Sequence, residues 1–453
     1  MKCEDKNAGW GRVASICLAT ALSIASNPSL ALEPDHIRAG NIELVPSVEM
    51  RVVRRSNVYL TEGETTAEEG NVIGAAPQSG TAILLHPSLS FGIEGEDTTV
   101  QFNLDMDAAR YLEEEHQNLN RYDDVELGLD FRTLNRSIVG LKLNERFHRT
   151  GRETEATYAT SAYITHLMNN TGGRLSFRPG SSLSIDVGGD FSYDKYDVSA
   201  DATADGSPSL NSRVGYGPGI DLKWSFFPKT AIVASYSQHW FTWENNLVDT
   251  KGDGLSESEF GDSLGIPNGS EWKATVGLRG RLTEKIVLGL IGGVGQMDYD
   301  ENSVQGQNGE GNAAEQGFDR DLTGLSEGIL GIVELGYKPI EGQSLTLGYR
   351  KDFQDVYFTN FVDFHNVFVR YEGMFADRFG AKASGGYRFE QYLGEVSRDD
   401  HVLNAGVDLS VRVTRYFEVA GGVSWKERGS ADGLHSDIEY DDVTMSLGLT
   451  GSY

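Results

Sequence analysis

From residue 42 to the end of the chain, apolar and polar residues alternate over long stretches. In 403–413, Leu, Ala and Val occupy the odd positions, and Asn, Gly, Asp, Ser and Arg occupy the even ones. The same period recurs in 100–107, 125–132, 417–426 and 443–450. Because successive side chains of a strand point to opposite faces, each stretch predicts a strand with one apolar and one polar face.

The length of these stretches distinguishes a membrane barrel from a soluble sandwich. Many of them run for roughly 12 to 18 residues. Soluble strands cluster near about 5 or 6 residues, and a tilted strand that crosses a bilayer needs about 9 to 11. We count eighteen segments, at 42–57, 81–95, 98–115, 121–135, 137–150, 163–178, 182–198, 210–227, 230–245, 269–283, 285–299, 322–339, 344–359, 361–375, 378–395, 400–414, 416–428 and 440–453.

Short links such as 95–97 and 179–181 alternate with long ones such as 58–80 and 246–268. An even strand count with tight turns at one end and long loops at the other is typical of outer-membrane barrels. Since lipid cannot satisfy free backbone groups, a spanning sheet must close on itself. The sequence therefore predicts an all-β fold, a single closed antiparallel transmembrane β-barrel of about 18 strands (16–18).

Aromatic residues recur at both ends of the predicted strands, which predicts two interfacial girdles. Those beside tight turns are Phe226, Phe227, Phe379, Tyr416 and Phe417. Those near long loops are Tyr111, Tyr122, Trp240, Phe241, Trp243, Tyr299, Tyr357 and Phe358.

Two segments fit the alternation poorly. In 285–299 both faces are apolar or glycine. In 137–150, Glu145 falls in register with Leu143 and Phe147 on the apolar face. We expect Glu145 near a membrane interface or at a bulge, because a carboxylate on the lipid face is unfavourable.

The N-terminus has the pattern of an export signal. Basic residues precede the short apolar stretch 13–25, and Ser29-Leu30-Ala31 provides the small residues that signal peptidase accepts. We expect a signal peptide at 1–31 and the barrel at 32–453, with an N-terminal membrane anchor as the alternative. Both cysteines, Cys3 and Cys17, lie in the signal, so the mature chain has no thiol for disulfides, metal ligation or nucleophilic catalysis.

The formal net charge is −28, and removal of 1–31, which carries three basic and two acidic residues, makes it −29 (−28 − 1). Such a chain is not expected to bind nucleic acid, because phosphate contacts need basic surface. The polar faces nevertheless carry both signs, as expected for a water-filled interior. The candidate pore-lining residues are Asp105, Asp107, Asp130, Arg132, Lys142, Arg146, Asp190, Asp408, Arg412 and Lys426.

Three motifs suggest other chemistry only weakly. The glycines of 289–295 resemble a phosphate loop, but a strand pattern follows them instead of a helix. Residues 249–260 resemble a calcium loop, but Phe260 stands where a bidentate Glu is needed. The nine histidines share no spacing that indicates a triad or a metal site. We therefore expect no enzyme activity, no metal and no cofactor.

Several short motifs resemble a family of outer-membrane β-barrels often encoded in exopolysaccharide operons, the beta-barrel porin 2 family. The similar stretches are 42–48, 55–59, 85–90, 121–124 and 227–230, and the resemblance covers most of the mature chain. It implies location in the outer membrane of a Gram-negative bacterium and export of an exopolysaccharide or capsule polymer.

Three functions stay open on the sequence. The resemblance implies polymer export, the mixed-charge interior suits a general diffusion porin for small hydrophilic solutes, and the acidic stretch 298–321 suits a structural or adhesive surface barrel. Expected partners are outer-membrane lipid, lipopolysaccharide and the barrel-assembly machinery. For an exporter, polysaccharide and periplasmic export machinery join them.

Overall fold

A computed structural model describes residues 37–60, 65–66, 72–73, 77–150, 165–197, 212–227, 229–243, 247–249, 263–265, 268–299, 304–305, 317–318, 328–355, 361–393, 398–430 and 439–453. The expected signal peptide, 1–31, lies outside this set. Eighteen long antiparallel strands form one sheet, which confirms the predicted fold class. They are Ile42–Arg55 (β1), Gly80–Glu94 (β2), Thr98–Tyr111 (β3), Arg121–Thr133 (β4), Val139–Thr150 (β5), Thr165–Phe177 (β6), Leu183–Asp197 (β7), Arg213–Phe227 (β8), Thr230–Trp243 (β9), Gly269–Arg281 (β10), Ile286–Tyr299 (β11), Ile329–Tyr337 (β12), Gln343–Asp355 (β13), Phe361–Phe375 (β14), Phe379–Leu393 (β15), Arg398–Arg412 (β16), Phe417–Ser430 (β17) and Tyr440–Ser452 (β18).

The sheet closes because the first strand pairs with the last. β1 and β18 are antiparallel partners from Ser47 opposite Ser452 to Arg55 opposite Thr444. β1 also pairs with β2 over its whole length, and the remaining strands pair with their neighbours in sequence. Each described barrel strand therefore has a partner on both sides, as a sheet surrounded by lipid requires.

Short turns and long connections lie at opposite ends of the barrel, which we call the short-turn end and the long-loop end. At the short-turn end, Ala376 and Asp377 both have positive φ, at 49° and 55°. The Arg378 amide donates to the Phe375 carbonyl at 3.1 Å. This is the twist that suits a two-residue hairpin, although glycine or asparagine usually occupies such positions.

The elements outside the barrel wall are small. Ile37–Ala39 is a strand paired with the first residues of β1. Two-residue and three-residue ribbons join Thr65–Thr66 to Val72–Ile73, Leu247–Asp249 to Ser263–Gly265, and Val304–Gln305 to Gly317–Phe318. A 3-10 helix spans Glu114–Leu119 between β3 and β4. No helix among the described residues is long and apolar enough to cross a membrane.

Because apolar and polar residues alternate, one face of every barrel strand is apolar, and this face lies on the outer surface of the barrel. Leu409 and Leu447 are 59% and 63% exposed, as expected for side chains that would face lipid. Most of the predicted girdle aromatics with described side chains are also exposed, including Tyr122, Phe227 and Trp240. Tyr416 is half-buried. Tyr111 and Phe241 are buried at the long-loop end, because the register points these two side chains to the inner face.

The two irregular segments are regular strands. Glu145 lies on the outer face of β5, and β5 pairs with β4 and β6 without a register shift, so the expected bulge is absent from this strand. β11 presents Gly289, Gly293 and Gly295 to the interior. Its apolar inner face therefore alternates bare backbone with the side chains of Val287, Ile291 and Met297.

Candidate functional site: the barrel lumen

The lumen wall between β4 and β7 is a lattice of ion pairs. The Arg146 guanidinium lies 2.5 Å from the Asp130 carboxylate, and Lys142 Nζ lies 2.7 Å from Asp186 Oδ2. Arg174 pairs in the same way with Asp190. Each pair joins strands two apart or adjacent, so the side chains lie along the wall.

Glycines on the inner face give these long side chains room. A Cβ built on Gly128 would lie 3.1 Å from Arg146 Nη1, and one on Gly219 would lie 3.0 Å from Arg174 Nη2. Because the arginines lie over bare backbone, the wall carries many charges without filling the interior.

On the β2–β3 wall, a histidine stands between two acids. His86 Nδ1 lies 2.8 Å from Asp107, and its Nε2 lies 3.6 Å from Asp105. The three side chains are between 27% and 38% exposed. Asp190 and Arg146 on the β4–β7 wall are 45% and 41% exposed, so the middle of the lumen is open to water.

Towards the long-loop end, charges of both signs are buried together. We call this group the collar, and it consists of Glu271, Lys273, Arg350, Asp352, Arg388, Glu390, Asp400 and Arg428. Its side chains are between 0% and 20% exposed. The collar has four cations and four carboxylates, so every buried charge has an opposite charge in reach, as burial requires.

Arg428 is the most heavily bonded member of the collar. Its Nη2 donates to Glu390 at 2.9 Å, to the Tyr392 hydroxyl at 2.8 Å and to Asp400 at 2.7 Å. Arg388 Nε lies 2.8 Å from the other oxygen of Glu390. The carboxylate of β15 is thus held between guanidinium groups of β15 and β17.

Lys273 runs along the inner surface of the barrel and connects the collar residues of β10 with those of β13. Its Nζ lies 3.1 Å from Glu271 and 3.1 Å from Asp352, and it stands 4.4 Å from the centre of the Phe353 ring. The side chain crosses β11 at Gly295, where a Cβ would lie 2.9 Å from the Lys273 chain. A glycine at this position therefore lets β10 reach β13.

A second packed group, the mouth cluster, lies at the long-loop end next to β2 and β3. Val58 is fully buried and packs with Ala82, Tyr111 and Leu119. His116 is fully buried as well, and its ring bonds the Tyr59 hydroxyl at 3.2 Å. Because Ala82 and Tyr111 are inner-face residues, the chain after β1 folds towards the interior here.

All ten residues proposed from the sequence lie on the inner face of the strand register, but they do not form one site. Asp130 and Arg146 pair with each other, whereas Asp105 and Asp107 contact His86. Arg132, Lys142 and Asp190 belong to the β4–β7 wall. Asp408 stands opposite Lys382, Arg412 opposite Glu418, and Lys426 lies 5.6 Å from the Tyr440 ring. That any of them contacts a solute stays a prediction.

The sequence reasoning missed the collar completely. Its members come from β10, β13, β15, β16 and β17, and each is a polar residue at an ordinary inward position. The alternation could have assigned them to the lumen, but nothing in the local pattern places them together.

Residues 250–260 of the candidate calcium loop, 249–260, and most of the acidic stretch 298–321 lie outside the described residues. Within the described part of the chain, no group of three or more His, Cys, Asp or Glu side chains is arranged to hold a metal.

These observations define a transmembrane β-barrel with an apolar outer belt and a charged lumen. No known family model and no curated protein matches the chain. Among solved structures, OpdQ of Pseudomonas aeruginosa has 10% identity and a TM-score of 0.43, over 91% of this chain and 97% of that one. OccAB4 of Acinetobacter baumannii has 13% identity and a TM-score of 0.43, over 91% and 98%. Pseudomonas aeruginosa OpdK, solved with vanillate, has 11% identity and a TM-score of 0.41, over 90% and 99%.

Proposed function

We propose that the protein is a passive diffusion channel for small hydrophilic solutes, with no catalytic step. The observation that carries the proposal is the contrast within the lumen. Mid-lumen side chains such as Asp190 are 45% exposed, whereas the collar residue Asp400 is completely buried. A water-accessible middle with a packed charged collar near one end suits solutes that shed little of their own hydration.

The collar also favours small solutes over a polymer. Eighteen tilted strands give a backbone diameter of roughly 35 Å. The buried collar and the mouth cluster occupy part of that width at the long-loop end. Polymer export, which the resemblance implies, is supported by no contact in the described lumen. An adhesive role would depend on loops that lie outside the described residues, and it stays a prediction.

We further propose that the barrel sits in the outer membrane of a Gram-negative cell. The exposed apolar belt would contact lipid and lipopolysaccharide, and insertion would use the barrel-assembly machinery. The charges of the collar balance, so we expect weak selection between anions and cations. Size would then be the main criterion for passage.

Liposomes containing the purified protein test this proposal. Swelling should be fast with monosaccharides, slower with trisaccharides and absent with long dextrans, and planar bilayers should show steady conductance without partner proteins. A channel closed to monosaccharides, or one that passes dextran, would contradict it. Loss of surface polymer in a deletion strain would instead support export.

A further inference from the structure

The outer faces of β1, β2 and β3 change from apolar to basic towards the long-loop end. The exposed apolar side chains on these faces are Val48, Met50, Val52, Ile83, Leu85 and Met106. Beyond them on the same face, Arg54 of β1 stands opposite Thr81, and Arg110 of β3 stands opposite Ile83. Both arginines are exposed, and the other outward residues of these three described strands are uncharged.

The Arg54 side chain leans from β1 across the outer face of β2. Its Nη1 donates to Thr81 Oγ1 at 3.2 Å, and its Nη2 donates to Ser79 Oγ at 3.3 Å. Arg110 borders the same strand from the other side, because β3 is the next neighbour of β2. The backbones of β1 and β3 lie two strand spacings apart, roughly 10 Å. Two long cationic side chains therefore flank a narrow strip of β2 that ends in hydroxyl groups.

Neither arginine is neutralised within the described part of the chain, where no carboxylate lies within ion-pair distance of Arg54 or Arg110. Glu113 is close by, but its carboxylate accepts the backbone N–H of Thr81. Two cations against one carboxylate leave an excess of positive charge. This surface is local, because at the same end the outward residues of β16, β17 and β18 include the acids Asp399, Glu427 and Asp441.

We propose that this surface, the basic patch of Arg54, Thr81 and Arg110, binds a phosphate group of a lipopolysaccharide molecule in the outer leaflet. The inference rests on the proposed outer-membrane location, in which the long-loop end faces the cell exterior. Guanidinium groups suit this ligand, since they bind phosphate through charge-assisted and often bidentate hydrogen bonds.

The height of the basic patch fits a lipid phosphate. The patch begins where the apolar belt of β1–β3 ends, so acyl chains that lie over Val52 and Leu85 would bring the phosphorylated sugars level with the arginines. Tyr122, at the start of the neighbouring β4, is 62% exposed. Exposed aromatics of this kind mark the membrane interface in such barrels.

Binding of purified lipopolysaccharide to the folded protein in detergent micelles tests this proposal. The double variant Arg54→Gln/Arg110→Gln should bind at least about tenfold more weakly than the wild type, because it loses charged hydrogen bonds to phosphate. Lys285→Gln/Lys338→Gln is the matched control, since it removes two exposed, adjacent cations from the short-turn end. The control should bind like the wild type. Gel mobility without heating shows that each variant is folded.

Two further lipids identify the ligand with the wild-type protein alone. Dephosphorylated lipopolysaccharide should bind the wild type as weakly as the intact lipid binds the arginine variant. Phosphatidylglycerol should bind weakly, and equally to all three proteins. The proposal is overturned if the arginine variant keeps wild-type affinity, if the lysine control loses as much, or if dephosphorylation has no effect. Parallel loss of phosphatidylglycerol binding would also overturn it, in favour of a general phospholipid site. None of these readouts depends on solute passage, which liposome swelling tests separately.

Discussion

Lys273 of β10 reaches Asp352 of β13 at 3.1 Å, although two strands lie between them. The contact is possible because β11 has a glycine, Gly295, directly opposite Lys273. Its ammonium group also lies 3.1 Å from Glu271 and donates to the Phe353 carbonyl at 2.9 Å. A single lysine therefore holds together three groups at the long-loop end of the lumen.

Replacing this lysine should weaken the barrel. Lys273→Met removes a cation from two buried carboxylates, Glu271 and Asp352, and only Asp352 keeps a collar arginine, Arg350, beside it, so the loss is on the order of 3–5 kcal/mol. Urea unfolding from lipid vesicles, followed by the fluorescence of the five tryptophans beyond residue 31, measures the loss. Lys223→Met, at an exposed lysine of the β8 inner face, is the control and should change stability little. Equal stability of the two variants would contradict the role given to Lys273.

Glycine should be required where an added Cβ would overlap the backbone of the neighbouring strand, and dispensable where the added Cβ would meet open space. A Cβ on Gly217 would overlap the Gln238 carbonyl oxygen, whereas a Cβ on Gly292 meets nothing within 4 Å. Gly217→Ala should therefore lower the free energy of unfolding by at least about 1–3 kcal/mol. Gly292→Ala should leave it unchanged. The folded fraction seen by gel mobility without heating compares the two, and equal folding would refute the assignment.

Asp442 ties the end of β1 to β18 at the closing seam. Its carboxylate accepts hydrogen bonds from Arg55 Nε at 2.9 Å and from the backbone N–H of Asn57 at 3.1 Å. Asp442→Asn removes the charge while keeping the shape, so we expect a loss of about 1–3 kcal/mol. Hydrogen exchange should accelerate at 56–60 first. If exchange there matches the wild type, the seam does not depend on this carboxylate.

The mouth cluster should loosen at low pH through Glu113, which lies just beyond β3. Burial raises the pKa of Glu113, but the hydrogen bonds that its carboxylate accepts from Thr81 outweigh burial, and the net pKa lies below its ordinary value. A carboxyl group whose pKa is lowered by folding stabilises the folded state at pH values above its unfolded pKa. This contribution is lost as the pH falls through the pKa of the folded state.

Protection of the Thr81 amide, measured by hydrogen exchange and corrected for the intrinsic rate, should therefore fall on acidification. Since Glu113 is only half-buried, solvent screens its interactions and the effect should be small. Glu113→Gln removes the titrating group and should make the protection independent of pH in this range. A pH dependence that survives in Glu113→Gln would assign the effect to another group.

Much of the fold was predictable because its main signal is local. The covalent geometry of an extended strand sends alternate side chains to opposite faces, so the period in 403–413 already separates Asp408 from Leu409. The same rule placed all ten candidate residues on the inner face. It also predicted eighteen strands, since each amphipathic segment is one crossing.

Glu145 follows the local alternation although its charge argued against a regular strand at this position. The pattern assigned it to the outer face, and the cost of a carboxylate facing lipid suggested a position near a membrane interface or at a bulge. The strand is regular there, because Thr171 on the next strand offers a hydrogen bond. A partner that distant in the sequence has no trace in the pattern around Glu145.

The sequence by itself determined the strands, their two faces and the closed sheet, because alternation and length are properties of each segment alone. Only the tertiary structure decided which charges meet. Lys273 and Asp352, or Arg428 and Glu390, come together through register, tilt and the glycines between them. Those quantities belong to pairs of strands, so no single segment contains them.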